Sequence, residues 1–389
     1  MCNFVKILYV VSRPLEINTS SSIRNRATIQ GLLDNGCDVD LITTAADPNH
    51  NSYDSNLALD RVNTTYLELS GVQSVLRTGR RLKFLGKIRN LVYKIATKFE
   101  LYDNLKGVAN QAEHVNIDDT SYDLVISSSD PKSSHLFVYK LFEIGVLKNT
   151  KWKQIWGDPF YSDITSTKKW NKGKIKKEER KLLNYASSVI YVSPLTLESQ
   201  KSIFPEYSDK MKFVPIPYNA RVEYPVVNET EKLSLLYSGD YMSSVRDIRP
   251  LYDAICDSND AITICGGSDI NLKPLSNVKI YPRISVDEVK KLEENADVLI
   301  HLSNKSGSQI PGKIYQFSGT NKYVLFILDG DSQKLSDFFS KYNRFIFCEN
   351  NKESISRALS QIKKDNYKNT RFIIEDFSPK EVSKTLINS

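Results

Sequence analysis

The stretch from Ser306 to Leu328, SGSQIPGKIYQFSGTNKYVLFIL, constrains the fold of this chain more than any other. It predicts a loop, a short helix, a tight turn and a buried strand in succession. Pro311 suits the first position of a helix, because its fixed φ is helical and its missing N–H would have no partner there. Tyr323 to Leu328 is a nearly continuous apolar run, as in a parallel strand covered on both faces. The stretch therefore indicates an α/β domain.

The loop before this helix is a candidate anion site. Gly307 and Gly312 allow a ligand to approach the backbone closely. A helix start behind such a loop presents free N–H groups and the positive end of a dipole, which suits a diphosphate. Gly319 stands where a left-handed residue would end the helix. The same pattern also occurs in ordinary loop–helix–strand connections, and that interpretation stays open.

The chain begins with a predicted βαβ unit. Phe4 to Ser12 and Val39 to Thr43 are apolar strands, and between them a serine-rich loop precedes a helix that opens at Arg24. This order predicts a doubly wound sheet with its site at the carboxyl ends of the strands. The loop lacks the glycine fingerprint of dinucleotide-binding proteins, so we exclude a nicotinamide cofactor. Ser21, Ser22 and Arg24 are candidate ligand-binding residues.

Two further residues follow predicted strands of this first half. His135 lies in the first turn of the helix after the strand Tyr122 to Ser128, where it is either a site residue or a core or surface histidine. Asp158 follows the strand Lys153 to Trp156 in a Gly-Asp-Pro turn. An aspartate at that edge is either a turn former or a site residue.

A proline-paced segment, Phe213 to Asn219, indicates a domain boundary because prolines stiffen an extended linker. We expect a first domain over residues 1–217 and a second over 218–375. A new series of α/β elements begins at Leu233, and its first two strands end in Gly239 and Gly266. Residues 376–389 predict a terminal helix that crosses back to the first domain.

Composition excludes several classes of protein. The five cysteines and four histidines among 389 residues are dispersed and lack metal-ligand spacing, which predicts reduced thiols in a cytoplasm and no metal site. No apolar run approaches the roughly 20 residues of a membrane span. The start of the chain resembles a strand more than a signal peptide.

The net charge of +7 is concentrated in one place. Residues 77–98 contain eight Lys or Arg and no acidic residue, interleaved with leucine, isoleucine and valine at helical spacing. Such a helix can rest on an anionic membrane surface, and the alternative is a helix that packs on its own domain with solvated charges. No aromatic platform accompanies the charge, so we expect no nucleic acid partner. The candidate membrane-contacting residues are Arg80, Arg81, Lys83 and Lys87.

The order of these elements resembles the GT-B glycosyltransferases, and in particular the bacterial family 4 retaining glycosyltransferases. The resemblance extends over nearly the full length. It rests on four places: the first strand, loop and helix to Arg24; Trp156–Pro159; Tyr237–Arg246; and Gln309–Phe317 with the strand after it. It implies two Rossmann-like doubly wound α/β domains facing across a cleft, with the acceptor in the first and a nucleotide sugar in the second.

Individual family positions carry over with departures. The glutamate that contacts the donor sugar falls on Ser308, and the one that holds the ribose falls on Gln316, whose amide can still bind hydroxyls. Of the basic pair that binds the diphosphate, the first position falls on Asp240 and the second on Arg246.

The resemblance implies roles for several other residues. Arg249 or Lys313 compensates for the missing cation, and His135 corresponds to a catalytic-region histidine. The predicted catalytic residues are Arg246, Lys313 and His135. The predicted donor-binding residues are Gly239, Arg249, Gly266, Ser308, Gln309, Ile310 and Gln316, and those on the acceptor side are Ser21, Ser22, Arg24 and Asp158.

The predicted activity is retaining, metal-independent hexosyl transfer from a UDP- or GDP-sugar, which is a substrate and not a cofactor. The predicted acceptor is a saccharide, lipid-linked if the basic helix contacts a membrane, in bacterial surface polysaccharide or glycoconjugate assembly. The protein would then be cytoplasmic and peripheral on the inner face of the plasma membrane. One alternative is a catalytically silent GT-B paralogue that binds or scaffolds a partner. Another is a GT-B epimerase, for which we find too few acidic and histidine candidates.

Overall fold

The computed structural model describes residues 5–69, 101–163, 171–225, 231–364 and 367–389. The chain divides into two compact units, Met1–Pro215 with Pro379–Ser389, and Ile216–Ser378. The division falls two residues before the expected boundary between 217 and 218. Each unit is described by itself below.

The sheet of the first unit is parallel throughout its described strands. Its spatial order is β3-β2-β1-β4-β5-β6-β7, so the direction of chain progression reverses between β1 and β4. The strands are β1 (Lys6–Val10), β2 (Asp38–Thr44), β3 (Asn63–Leu67), β4 (Leu124–Ser128), β5 (Lys151–Trp156), β6 (Ser188–Tyr191) and β7 (Met211–Phe213).

Four α-helices in the described part of this unit connect those strands. They are α1 (Ser20–Asp34), α2 (Ser133–Glu143), α3 (Lys172–Tyr185) and α4 (Pro194–Ile203), accompanied by 3-10 segments at Ser55–Leu57, Lys106–Glu113, Asp119–Ser121 and Pro205–Lys210. The serines expected in a loop form the first turn of α1, because the Thr19 hydroxyl accepts the Ser22 N–H at 3.2 Å and caps the helix there. The expected start at Arg24 was therefore one turn late.

The second unit repeats the doubly wound plan. Its six described strands are parallel in the order β10-β9-β8-β11-β12-β13. They are β8 (Ser234–Ser238), β9 (Ala261–Cys265), β10 (Val278–Tyr281), β11 (Val298–Leu302), β12 (Tyr323–Leu328) and β13 (Ile346–Glu349). The helices are α5 (Arg249–Cys256), α6 (Val286–Asn295), α7 (Lys313–Ser318), α8 (Ser332–Ser340) and α9 (Lys352–Lys363), with 3-10 segments at Lys368–Thr370 and Glu375–Phe377.

The stretch around α7 folds largely as its pattern predicts. Every residue of β12 is buried, which explains its apolar run. Gly319 follows α7, but its φ is −82°, so the left-handed conformation expected there is wrong. A glycine is needed for space instead, because an added Cβ would lie 2.6 Å from the Ala220 carbonyl oxygen.

The terminal helix, α10 (Pro379–Asn388), packs on α1 in the first unit. The two backbones approach so closely that a Cβ added to Gly31 would lie 1.9 Å from the Pro379 carbonyl oxygen. The Ser383 hydroxyl donates to the Thr28 carbonyl at 2.9 Å. At the other end of α10, the Lys153 ammonium group donates to the carbonyls of the last turn and satisfies acceptors that the helix leaves open.

Candidate functional site

The strand order of the second unit reverses between β8 and β11, which lie side by side. In open parallel sheets, ligands bind outside the carboxyl ends of the strands at such a reversal. A ligand site is therefore expected among the residues that follow β8 and β11. Gly239 and Asp240 come directly after β8, and Asn304 comes two residues after β11.

Arg246 joins these two loops. Its Nε donates to Asn304 Oδ1 at 2.8 Å, and its Nη1 donates to the Asp240 carbonyl oxygen at 2.7 Å. The Asn304 amide is oriented in turn, because its Nδ2 donates to the Gln309 carbonyl oxygen at 2.9 Å. A guanidinium group is thus fixed at the reversal point with its side chain only partly buried. The sequence prediction placed a cation for a diphosphate on this residue.

The loops after β8, β9 and β10 are held together by their backbones. The Gly239 N–H donates to the Cys265 carbonyl at 2.8 Å, and the Gly266 N–H donates to the Tyr281 carbonyl at 3.2 Å. A Cβ on Gly266 would lie 2.0 Å from the Gly239 carbonyl oxygen, so glycine is required at this close approach. The predicted site glycines therefore shape the edge of the sheet.

Asp240 is the centre of this joined edge. Its Oδ1 accepts the Gly267 N–H at 2.9 Å, and its Oδ2 accepts from Arg283 Nη2 at 2.5 Å. The Arg283 side chain is 58% exposed and the Asp240 side chain 42%. A carboxylate thus stands where the family resemblance puts a cation, and a second arginine reaches it from the loop after β10.

The two residues expected to compensate for that cation have other partners. Arg249 is engaged by its neighbour Asp247 through two hydrogen bonds, Nε to Oδ1 at 2.7 Å and Nη2 to Oδ2 at 2.6 Å. The Lys313 ammonium group lies 5.7 Å from the centroid of the Phe317 ring. Its charge also acts on the Cys265 thiol, whose pKa burial raises to about 11 against the opposing effect of Lys313.

The loop before α7 holds the remaining predicted donor contacts. Ser308 and Gln309 are partly buried, and Ile310 is buried at 8% exposure. The helix itself has only six residues. Its first turn uses backbone groups internally, since the Ile314 N–H donates to the Pro311 carbonyl at 3.4 Å. The predicted anion site at the start of α7 therefore has fewer free backbone N–H groups than expected.

Gln316 is oriented toward backbone of its own unit. Its Oε1 accepts the Asn219 N–H at 2.8 Å, and its Nε2 donates to the Pro217 carbonyl at 3.2 Å. Both ends of the amide are used to hold the proline-paced segment. The ribose contact predicted for Gln316 would have to share the amide with these two bonds.

In the first unit, charged side chains gather after β4 and β5, next to the reversal between β1 and β4. The Lys132 ammonium group lies 2.6 Å from Asp130 Oδ1 and 3.1 Å from Asp163 Oδ2. Asp158 shares a hydrogen bond with Asp130. Three carboxyl groups therefore surround one ammonium group at the edge where the predicted acceptor residue Asp158 lies.

The pKa values of this cluster diverge. Burial, reinforced by the Asp130 charge, raises the pKa of Asp158 to about 7. Burial opposes ionisation of Asp130 as well, but the Lys132 ammonium group outweighs it and lowers the pKa of Asp130. The same carboxylates raise the pKa of Lys132 although its burial opposes the charge. Near neutral pH Asp158 is thus about half-protonated, whereas Asp130 is ionised.

Arg24 connects α1 to this edge. It is 7% exposed, and its Nη2 donates to the Ser129 carbonyl. Its guanidinium group lies so close to the Gly157 backbone that an added Cβ there would be 2.2 Å from Nη1. Ser21 and Ser22 are also buried, and their hydroxyls lie 3.0 and 2.9 Å from the Thr19 hydroxyl at the start of α1. These three predicted acceptor-side residues contribute to the structure of the edge.

His135 lies one layer behind the edge. It is fully buried, its Nδ1 is 2.7 Å from the Ser127 hydroxyl, and its ring centroid is 4.3 Å from that of Trp156. Burial lowers its pKa to about 3, so the imidazole is neutral at physiological pH. This position matches the core histidine that the sequence left open, and not a group at the surface of the unit.

The whole chain is similar in fold to solved structures that include a glycosyltransferase, TarM and a UDP-GlcNAc 2-epimerase. A glycosyltransferase from Rickettsia africae is 14% identical, with 99% of this chain and 97% of that one covered and a TM-score of 0.58. For TarM the identity is 12%, the coverage 100% and 99%, and the TM-score 0.62. For a UDP-GlcNAc 2-epimerase from Neisseria meningitidis bound to UDP-GlcNAc, the values are 12%, 99% and 99%, and 0.55.

The chain has the GT-B fold. This confirms the predicted pair of Rossmann-like doubly wound domains, one with seven described strands and one with six. No protein-family model matches the sequence, and no curated protein is significantly similar to it. At these low identities the likeness shows the GT-B fold alone.

Several residues at the sheet edges of this GT-B chain were missed by the sequence prediction. In the first unit they are Asp130 and Lys132, and in the second Arg283 and Asn304. All four follow a strand end within a few residues, so the rule that pointed to Asp158 would also have found them. No local motif marks them, and the partners of Arg283 and Asn304, which are Asp240 and Arg246, are distant in sequence.

Other predictions fall outside these sites. Arg80, Arg81, Lys83 and Lys87 lie outside the described residues, so their membrane contact stays a prediction. Within the described ranges, no helix is both long and apolar enough to span a bilayer. The same ranges contain no group of three or more His, Cys, Asp or Glu side chains arranged to hold a metal ion.

Proposed function

We propose that this chain is a retaining glycosyltransferase that moves a hexosyl group from a UDP- or GDP-sugar to a saccharide acceptor. The second unit binds the donor and the first binds the acceptor. The acceptor is a lipid-linked saccharide of bacterial surface polysaccharide or glycoconjugate assembly, and the enzyme works without a metal ion at the inner face of the plasma membrane. The GT-B fold and its likeness to enzymes of nucleotide sugars support the general class.

The position of Arg246 carries the proposal. A partly exposed guanidinium group at the strand-order reversal of a doubly wound sheet lies where such folds bind their ligands. It is held by Asn304 and by the Asp240 carbonyl, so little reorganisation is needed when an anion arrives. Preorganised cations of this kind stabilise charge that develops in a transition state.

The chemistry assigned to this site is displacement of a nucleoside diphosphate. The bond between C1 of the sugar and the diphosphate oxygen breaks, and the electron pair leaves with the diphosphate. A new bond forms from C1 to an acceptor hydroxyl on the face from which the diphosphate departs, so the configuration at C1 is retained, and the hydroxyl proton passes to the departing diphosphate oxygen. Arg246 and Lys313 offset the charge on the leaving group in place of a divalent ion.

The aspartates of the first unit suit recognition of the acceptor. Asp158 is about half-protonated near neutral pH and Asp130 is ionised, so together they can offer both a donor and acceptors to sugar hydroxyls. Asp158→Asn keeps the size of the side chain and removes the titration. We expect it to raise KM for the acceptor more than KM for the donor.

Replacement of Arg246 tests the proposed donor site. Arg246→Lys keeps the charge but cannot donate to Asn304 and Asp240 in the same fork geometry. We expect kcat/KM for the best donor in a UDP- and GDP-sugar panel to fall by about a hundredfold, as when one preorganised donor is lost. Release of nucleoside diphosphate measures turnover, and circular dichroism checks the fold.

Arg221 provides the matched control. It is 53% exposed and paired with Glu223 and Glu375, and its neighbour Val222 pairs with Thr320 just before β12 begins, at the amino edge of the sheet. Arg221→Ala should leave turnover unchanged. Wild-type turnover in a folded Arg246→Lys variant would refute the role of Arg246.

Two alternatives predict different outcomes of the same assay. A silent paralogue, suggested by Ser308 and by the engaged amide of Gln316, would bind a nucleoside diphosphate but turn over no donor with any acceptor. An epimerase, suggested by the structural likeness to UDP-GlcNAc 2-epimerases, would convert UDP-GlcNAc alone into its C2 epimer. Proton NMR of the incubated nucleotide sugar distinguishes transfer, hydrolysis and epimerisation.

A further inference from the structure

We propose that Arg283 supplies the second cation of the diphosphate site, in place of the basic residue whose position Asp240 occupies, and that Asp240 holds Arg283 until a donor binds. This inference rests on the proposed function, because it concerns the same nucleotide-sugar site. It departs from the sequence prediction, in which Arg249 or Lys313 compensates for that residue. Lys313 keeps its proposed contribution to offsetting the leaving-group charge, in addition to the two arginines.

Arg246 and Arg283 both contact Asp240, the second residue after β8. Arg246 Nη1 donates to the Asp240 carbonyl oxygen at 2.7 Å, and Arg283 Nη2 donates to its carboxylate at 2.5 Å. Both guanidinium groups therefore contact Asp240, one at its backbone and one at its side chain. The Asp240 carboxylate offsets the charge of only one arginine, so the three side chains together keep an excess of positive charge. A diphosphate carries more negative charge than a carboxylate and would offset this excess more fully.

The Asp240 carboxylate stays hydrogen-bonded when Arg283 leaves it, whereas the Arg283 side chain is exposed and can exchange its partner. The carboxylate is held independently of Arg283 by the Gly267 N–H at 2.9 Å. The Arg283 side chain is 58% exposed, and an exposed ion pair contributes only about 0–1 kcal/mol to stability. Arginine binds phosphate oxygens in the same forked way as it binds a carboxylate. A diphosphate can therefore replace the Asp240 contact at low cost.

The backbone explains why this arginine reaches the site. Arg283 follows β10, the edge strand, and the Gly266 N–H bond to the Tyr281 carbonyl ties its loop to the one after β9. The contact of Gly266 with Gly239 ties that loop to the one after β8. Arg249, by contrast, already forms two hydrogen bonds to Asp247. Of Arg249 and Arg283, only Arg283 is paired with a residue at the reversal point, Asp240.

Calorimetric titration of the full-length protein with UDP, GDP, uridine and guanosine tests the inference. We expect Arg283→Ala to weaken binding of the preferred diphosphate at least about tenfold, as for loss of a charged hydrogen bond, and to leave binding of the matching nucleoside unchanged. Arg221→Ala is the control and should change neither. Equal weakening of nucleoside and diphosphate would overturn the inference and would assign Arg283 to the base or ribose.

A second variant tests the holding role of Asp240. Asp240→Asn keeps an acceptor for the Gly267 N–H but removes the charge that competes for Arg283. We expect it to tighten diphosphate binding severalfold in the wild-type background and to have no such effect when Arg283 is alanine. Equal effects of Asp240→Asn in both backgrounds would contradict the exchange.

The failure of this inference can be told apart from failure of the proposed function. If the wild-type protein binds neither UDP nor GDP, both are overturned. If it binds one of them and Arg246→Lys weakens that binding while Arg283→Ala does not, only the role of Arg283 is wrong.

Discussion

Buried ionisable residues of the first unit respond to pH in opposite directions. Glu179 is fully buried, accepts the Tyr161 N–H at 2.7 Å, and has its pKa raised by burial to about 7. Asp158 behaves similarly, whereas burial lowers the pKa of His135 to about 3. Between pH 4.5 and 6.5, the raised carboxyl pKa values make stability fall with rising pH, and the lowered histidine pKa makes it rise.

Replacement of Glu179 separates these opposing contributions. The folded chain keeps the Glu179 proton up to about pH 7, whereas the unfolded chain loses it near its ordinary value of 4.5. The wild type therefore loses up to about 1.4 kcal/mol of stability per pH unit in that window through this group. Glu179→Gln does not titrate, so its stability relative to wild type should increase from pH 4.5 to 7 and level off above. Urea unfolding at several pH values measures the difference, and a constant difference would contradict the buried, protonated state.

At the scale of elements, two helical glycines differ in how closely another part of the chain packs on them. Gly31 lies in α1, where an added Cβ would be 1.9 Å from the Pro379 carbonyl oxygen of α10. Gly173 lies in α3, where an added Cβ would meet nothing within 4 Å. Both are helical, so their intrinsic gain from alanine is similar, and only the contact differs.

The different surroundings of Gly31 and Gly173 predict opposite effects of replacing each glycine by alanine. Gly31→Ala must push α10 away from α1, and we expect the free energy of unfolding to fall by about 1–3 kcal/mol, as for other overpacked sites. Gly173→Ala should raise it by up to about 1 kcal/mol, because alanine restricts the unfolded chain more than glycine. Urea denaturation of both variants measures the contrast. Equal changes of the same sign would show that α10 does not depend on close contact with α1.

At the scale of the whole molecule, the distribution of charge predicts where the protein works. The net charge of +7 is smaller than the eight basic residues between 77 and 98, so the rest of the chain is close to neutral. A concentrated basic segment is attracted to anionic lipid, and the attraction weakens as salt screens it.

Vesicle co-sedimentation tests this attraction. Each basic residue near an anionic surface contributes about 1 kcal/mol, so loss of four should weaken binding to phosphatidylglycerol vesicles by a hundredfold or more. The test variant replaces Arg80, Arg81, Lys83 and Lys87 by glutamine. A control with the same change in net charge replaces four exposed lysines of the second unit: Lys290, Lys291, Lys334 and Lys341. Equal binding of both variants would assign the effect to total charge and not to the segment.

The amino-acid sequence determined the strands and the architecture of this protein. Central strands of a doubly wound sheet are buried on both faces, so β11, β12 and the others at the centre appear as apolar runs with nearly their observed bounds. The edge strand β3 was missed because most of its residues are not buried and its sequence, NTTYL, has no such run. Asp158 was predicted as a site residue because it follows a strand end, and Arg246 because its position matches a basic residue of the family that the sequence resembles.

Only the tertiary structure decided which side chains are partners. Arg283 and Asp240 are 43 residues apart, and backbone contacts between three loops bring them together. His135 is neutral because the core encloses it, and Gln316 is engaged because the segment at Pro217 passes beside it. Burial and pairing depend on residues distant in sequence, whereas the apolar pattern of a strand depends on its own residues. The sequence therefore determined the sheet edge where a site belongs, and the tertiary structure determined which charges meet there.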